Sequence, residues 1–143
     1  MTGKTVSFYL NEQVENELKE REREGESRSL LINQDLERLY TLYKRALKRI
    51  PLQLNEAKLI ADLLNATISD HFSANTLWAE IDDGIKFDRL DTKWEIDGPA
   101  LIEKIKNLHE FDCMALIDAA DRFWNRQNEN IDEDDLIREV FVI

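Results

Sequence analysis

The sequence predicts a mainly α fold in which one short N-terminal strand and two helices precede a larger all-α helical module. Three observations carry this prediction. Residues 5–10 alternate polar and apolar side chains, and apolar residues recur at helical spacing through most of the remaining chain. Only four Gly and two Pro interrupt the pattern in 143 residues. Long helices joined by short connections are therefore expected.

The charge distribution divides the chain into two parts. The formal net charge is −11, but residues 1–50 carry ten Lys/Arg and nine Asp/Glu, whereas residues 51–143 carry nine and twenty-one. The negative surplus therefore belongs to the second part. We predict two domains, residues 1–50 and residues 51–143, of which the second is an acidic helical domain with apolar residues enough for its own core.

Composition bounds the class of protein. Hydrophobic residues make up 43% and charged residues 34%, as in a globular chain. No run approaches the roughly 18 apolar residues that a membrane span needs, and no apolar segment near the start predicts a signal peptide. The single cysteine, Cys113, excludes an internal disulfide and suits a reducing compartment, so a cytoplasmic location is expected.

The first fifty residues predict a strand, a helix and a second helix. In residues 5–10 the apolar side chains share one face, the pattern of a half-buried strand. Asn11 is a good N-cap for the first helix, which is expected to continue to the region of Gly25. Ser27 or Ser29 then caps a second helix with a broad apolar stripe.

A single short strand leaves its backbone groups without hydrogen-bond partners, and no second alternating segment lies nearby. A second copy of the chain supplies the missing strand as a two-stranded antiparallel ribbon. The pattern therefore predicts a homodimer, and it leaves open whether dimers pair into a tetramer.

With these features residues 3–48 resemble the ribbon-helix-helix family of bacterial repressors and antitoxins. The resemblance rests on the strand at 4–10, the turn at 25–29 and the apolar second helix. It implies a shared dimer core to which Val6, Phe8, Leu10, Leu31, Ile32, Leu36 and Leu39 contribute.

The resemblance also implies the site residues. In that family the outward side chains of the ribbon read bases in the major groove of double-stranded DNA, which assigns this role to Thr5, Ser7 and Tyr9. The start of the second helix would contact a phosphate through Ser27, Arg28 and Ser29, with Lys4 as a flanking contact. The implied function is that of a homodimeric, sequence-specific transcriptional repressor.

The second helix ends in a basic cluster formed by Lys44, Arg45, Lys48 and Arg49. Two interpretations stay open: the cluster touches DNA, or it stabilises the negative end of the helix dipole.

Residues 51–143 predict a succession of capped helices. Asp97-Gly98-Pro99 is a strong helix start, and Asp132 is a good N-cap for a last short helix. Residues 89–96 are expected to form an irregular connector with Trp94 folded onto the core. The apolar tail at 140–143 either contacts a partner or completes the fold of the domain.

Several polar groups are candidates for metal or catalytic sites. His109 and Cys113 stand four residues apart, but two ligands do not make a metal site. His71 is isolated, and Glu80, Asp82 and Asp83 indicate a solvated face. Residues 128–139 have the length of a calcium loop, but Glu133 stands where that loop needs Gly, and a capped loop is favoured.

No phosphate-binding loop, nucleophile pattern or cofactor fingerprint is present in the sequence. We therefore expect neither an enzyme nor a metal or cofactor. The alternative to a repressor is an antitoxin or adaptor whose acidic domain binds a basic protein partner.

Overall fold

The computed structural model describes residues 11–22, 27–65 and 76–143. Regular structure in these ranges consists of eight helices: α1 (Glu12–Glu22), α2 (Arg28–Arg49), α3 (Leu54–Leu63), α4 (Leu77–Asp88), α5 (Leu90–Trp94), α6 (Gly98–Lys106), α7 (Glu110–Asn125) and α8 (Glu133–Phe141). The chain forms two compact units, unit 1 (Met1–Tyr40) and unit 2 (Thr41–Ile143).

The predicted ribbon-helix-helix fold class is corrected by this architecture. The described ranges contain helices and no strand, so the mainly α part of the prediction fits and the ribbon is not seen. The alternating segment 5–10 lies outside the described residues. Alternation over six residues is only a local preference, and a strand also needs hydrogen-bonding partners, which the described part of a single chain does not offer.

Unit 1 contains α1 and the first half of α2. The prediction that Asn11 caps α1 is confirmed, since the Val14 amide donates to Asn11 Oδ1 at 2.9 Å. Leu18 of α1 and Leu31 of α2 are buried in this small unit. Arg21 adds an ion pair to Asp35 at 2.8 Å.

Unit 2 begins in the last turns of α2. Tyr43, Ala46, Leu47 and Ile50 are buried there as part of the unit's core. The boundary between the two units, after Tyr40, therefore lies about ten residues before the predicted boundary at 50/51. Helices α3 and α7 each pack against several neighbours, and their small buried residues Ala57, Ala61, Ala115, Ala119 and Ala120 allow close approach.

Capping residues determine where the helices of unit 2 begin. Gln53 and Glu56 form a reciprocal capping box at the start of α3. Asp97 Oδ1 accepts from the Ala100 amide at 3.1 Å, which confirms the predicted start of α6. Asp132 Oδ1 accepts from the amides of Asp134 and Asp135 and so caps α8 as predicted.

The expected irregular connector at residues 89–96 is wrong. It contains the short helix α5, separated from α4 by Arg89 in the left-handed conformation at φ 51° and ended by Glu95 at φ 54°. A non-glycine residue in this region is uncommon, so the break was not readable from composition. The prediction for Trp94 is confirmed, since it packs against the core.

The apolar tail completes the fold of unit 2. Val140 and Phe141 belong to α8 and are buried in the core cluster, whereas the last residue, Ile143, is exposed. This favours the second of the two interpretations left open for the tail. Within the described ranges, none of the helices combines the length and apolar character that a bilayer crossing requires.

Candidate functional site

The residues predicted to read bases cannot be placed. Thr5, Ser7 and Tyr9, together with the flanking Lys4, lie outside the described residues. Their assignment stays a prediction.

The predicted phosphate contact at residues 27–29 falls at the start of α2. Ser27 is the N-cap residue, because its Oγ accepts from the Leu30 amide at 3.3 Å and its carbonyl accepts from the Leu31 amide at 3.0 Å. Arg28 is the first residue of α2, and Ser29 is exposed in its first turn. The first turn of α2 contains no acidic residue. The free amides of Arg28 and Ser29 at the positive end of the helix dipole are therefore not neutralised by a carboxylate of the same turn.

The other end of α2 presents the basic cluster. Lys44, Arg45 and Lys48 are exposed, and no carboxylate of the described residues lies within ion-pairing distance of them. Arg49 lies 3.7 Å from Asp112, a long contact for an exposed guanidinium. In contrast, most Lys and Arg residues elsewhere in unit 2 are paired with a carboxylate. The cluster therefore keeps its positive charge available at the surface.

Unit 1 leaves large apolar side chains in solvent. Leu36, Leu39 and Tyr40 stand at i, i+3 and i+4 on one face of α2, and their exposed fractions are 48%, 37% and 46%. Leu30 is 49% exposed, but its position in the helical repeat places it on a different face. Of the residues predicted for a shared core, Leu31 is buried within the single chain, while Leu36 and Leu39 are not. We call Leu36, Leu39 and Tyr40 the apolar face of unit 1.

The groups weighed as metal ligands are not brought together. His109 is exposed at the N-cap of α7, whereas Cys113 is buried, and burial raises the pKa of its thiol. Asp82 forms an ion pair with Lys86 at 2.7 Å, and Asp83 is exposed. His71 lies outside the described residues. Within the described ranges, no three His, Cys, Asp or Glu side chains are grouped as a metal site would need.

The segment at 128–139 is a capped loop and helix start. Glu139, which stands where a calcium loop has its bidentate glutamate, binds Arg126 at 3.1 Å, and the neighbouring Glu129 binds the same arginine at 2.6 Å. The hydrogen bond from Arg126 lowers the pKa of Glu129, so this carboxylate is held charged by a fixed cation.

A partly buried ion pair lies on α7. Asp118 and Arg122 are one turn apart and 2.8 Å from each other. Burial nevertheless raises the pKa of Asp118 above its ordinary value, with Arg122 opposing the shift. Tyr43, in the second half of α2, also has a raised pKa, because its hydroxyl is partly buried and lies near the charge of Asp118.

The raised pKa of Asp118 predicts a pH-dependent loss of stability. Since the folded state holds this proton more tightly than the unfolded state, its contribution to stability is present below the ordinary pKa of 3.8 and is lost as pH rises through the raised value. We expect the stability of the wild type to fall relative to Asp118→Asn over this window, measured by urea unfolding from pH 3.5 upwards. Asp83→Asn, at an exposed position, is the control. A free energy of unfolding that rises for the wild type relative to Asp118→Asn as pH increases would contradict the prediction.

Comparison with protein-family models, with curated proteins and with solved structures finds no match to this chain. The resemblance of residues 3–48 to a known family therefore stays a prediction, and a functional conclusion must come from the surfaces described above.

Proposed function

We propose that the chain is a homodimeric DNA-binding protein that acts as a transcriptional repressor. The observation that carries the proposal is the cluster formed by Lys44, Arg45 and Lys48, which has no ion-pair partner among the described residues of a chain whose net charge is −11. Because Asp and Glu outnumber Lys and Arg in the chain by 30 to 19, cations that are spread evenly would each have a carboxylate nearby to pair with. Three exposed cations within five residues form a cluster that is suited to bind phosphate.

The start of α2 supports the same function. Its first turn combines backbone amides without intrahelical acceptors, an exposed serine and no acidic residue. This is the arrangement in which the amides at a helix N-terminus donate hydrogen bonds to a phosphate oxygen. A cytoplasmic location belongs to the same proposal, supported by the free, buried thiol of Cys113.

Binding of the full-length protein to the DNA upstream of its own gene, measured across a salt series, tests this function. We expect saturable binding that exceeds binding to random DNA and weakens as salt rises. Replacing Lys44, Arg45 and Lys48 with Gln is expected to make the salt slope shallower by up to about 2.7, since each phosphate contact contributes about 0.9.

The matched control replaces Lys19, Lys86 and Arg138 with Gln. These changes remove the same charge but touch only exposed pairs within one helix, at 3.8, 2.7 and 3.7 Å from Glu15, Asp82 and Asp135. Equal slopes for the two triple variants would show that the cluster makes no phosphate contact. Binding no better than to random DNA would overturn the repressor function.

A second copy of the chain is the proposed occupant of the apolar face of unit 1. Leu18 and Leu31 are the buried apolar residues among residues 11–22 and 27–40, which is a small core for that part of unit 1. Side chains the size of Leu36 and Leu39 gain about 1.5–3 kcal/mol each when removed from water. A two-fold partner presents the same face and so buries both sets at once.

Sedimentation equilibrium tests the dimer. We expect a mass near twice 16.8 kDa for the wild type and a dimer Kd raised at least about a hundredfold by Leu36→Glu with Leu39→Glu. Leu30→Glu is the matched control, because Leu30 is equally exposed on another face of α2. A monomeric wild type, or equal effects of both changes, would refute this interface.

We propose as a second function that acidic unit 2 binds a basic protein partner. It is favoured by exposed carboxylates that have no hydrogen-bond or ion-pair partner among the described residues: Asp83, Asp88, Glu95, Glu110 and Glu133. A twelve-residue peptide of alternating Arg and Ala is the probe, with the Gln-for-Arg peptide as control. We expect the Arg peptide to bind, with an affinity that weakens as salt rises and that persists when Lys44, Arg45 and Lys48 are replaced with Gln. Equal binding of the Arg and Gln peptides would refute this function.

A further inference from the structure

A cavity of about 230 Å³ in unit 2 has aromatic walls and a charged rim. Trp94 of α5 and Trp124 of α7 line it, and buried side chains of Phe123 and Ile137 form its apolar base. The volume is below the range of roughly 300–1,000 Å³ that holds drug-sized ligands. It matches one side chain or a similarly small group.

The two indole rings are held in place by their N–H groups. Trp124 Nε1 donates to the carbonyl of Ala61 at 2.7 Å, and Trp94 Nε1 donates to Asp62 Oδ2 at 3.0 Å. Trp124 is also packed edge-on against Phe123, with ring centroids 5.3 Å apart. The cavity is thus preformed, and an occupant need not order its walls.

Four charged residues line the cavity: Lys58, Lys93, Asp62 and Glu133, whose charges sum to zero. Lys93 is paired with Asp62 at 2.6 Å, and Lys58 is paired with Asp134. Both lysines also lie over the Trp94 ring, at 5.3 and 5.8 Å from its centroid. Glu133 lines the same cavity, is exposed, and has no partner among the described residues. Glu133 is therefore the charged lining residue without a partner among the described residues, because Asp134 neutralises Lys58 from outside the lining.

We infer that this cavity binds the side chain of an arginine from a basic protein partner. A guanidinium is flat and weakly hydrated, stacks on an indole face, and pairs with a carboxylate through two parallel N–H groups. Trp124 supplies the aromatic face that is not already covered by a lysine, and Glu133 supplies the carboxylate. The negative surplus of residues 51–143 attracts such a partner. The inference rests on the second proposed function and specifies its contact.

The test uses full-length protein carrying Trp78→Phe. Trp78 is absent from the cavity lining and contacts Lys106, so its removal leaves Trp94 and Trp124 as the reporters. The probe is an acetylated and amidated Ala-Arg-Ala peptide, compared with peptides that carry Lys, norleucine or Glu in place of Arg. We expect a saturable change in tryptophan fluorescence, with the Arg peptide at least threefold tighter than the Lys peptide.

Glu133→Gln is expected to weaken the Arg peptide about tenfold, and Glu133→Asp to weaken it less. Glu20→Gln is the matched control, because it removes the same charge from an exposed position of α1, outside the cavity and outside the carboxylates proposed to bind the partner. Equal binding to wild type and Glu133→Gln, equal binding of the Arg and Lys peptides, or tighter binding of the Glu peptide would overturn the inference.

Further outcomes distinguish failure of the cavity assignment from failure of the second proposed function. Free arginine that binds as tightly as the blocked peptide would overturn docking of a partner, because the occupant would then be a small molecule. If the arginine-rich twelve-residue peptide binds and Glu133→Gln does not weaken it, the cavity assignment fails while the second function stands. If that peptide does not bind at all, both fail.

Discussion

Replacing Lys104 with Met is expected to lower the free energy of unfolding of unit 2 by about 3–5 kcal/mol. Lys104 Nζ donates to Glu56 Oε1 at 2.7 Å and to the carbonyl of Pro51 at 2.9 Å. Glu56 is only 3% exposed, and it also accepts from the Gln53 amide in the capping box that begins α3. The variant leaves this carboxylate buried without its cation, which is the costly way to break a buried pair.

Urea unfolding measures the loss, and Lys106→Met is the matched control. Lys106 lies on the same helix, but it is exposed, and its charge lies over the ring of Trp78 at 4.4 Å without an ion pair among the described residues. Its loss is therefore expected to cost about 1 kcal/mol or less. Adding Glu56→Gln to Lys104→Met removes the unpaired charge and is expected to recover part of the stability. Equal effects of the two lysine variants would contradict the proposed cause.

Replacing Phe141 with Ala is expected to lower the free energy of unfolding of unit 2 by about 3–5 kcal/mol. Phe141 is 1% exposed near the end of α8, a helix whose apolar side packs against α3 and α7. Truncation to Ala removes most of its apolar area and leaves a cavity that the packed neighbours fill only in part.

Ile143→Ala is the control for the apolar tail. Ile143 is 45% exposed and two residues from Phe141, and its truncation is expected to change stability by about 0.5 kcal/mol or less. Thermal or urea unfolding of both variants gives the comparison. A Phe141→Ala protein as stable as Ile143→Ala would mean that the tail does not complete the core of unit 2.

Features that depend on local chemistry were predictable from the sequence. The residues predicted to cap helices are Asn11, Ser27 or Ser29, Asp97 and Asp132. In the structure Asn11, Ser27, Asp97 and Asp132 each accept a hydrogen bond from an amide two or three residues ahead. A cap needs only its own neighbours in the chain, so its signal is contained in a few residues.

Features that depend on distant partners were not predictable. Arg89 ends α4 in a left-handed conformation that its residue type does not favour, and α5 follows directly. The aromatic cavity also went unnoticed, because Asp62 and Trp94 lie thirty-two residues apart in the sequence. Nothing in the local pattern of either residue signals the other.

The sequence by itself determined the mainly α class, the starts of α1, α2, α6 and α8, the charge asymmetry and the basic end of α2. Only the tertiary structure decided that the tail is buried and that Lys104 neutralises Glu56. It also decided that Glu133 lacks a counterion among the described residues beside two fixed indole rings. The physical reason is that caps and charge are properties of neighbouring residues. Burial, ion pairing and cavities arise only when segments far apart in the chain pack against one another.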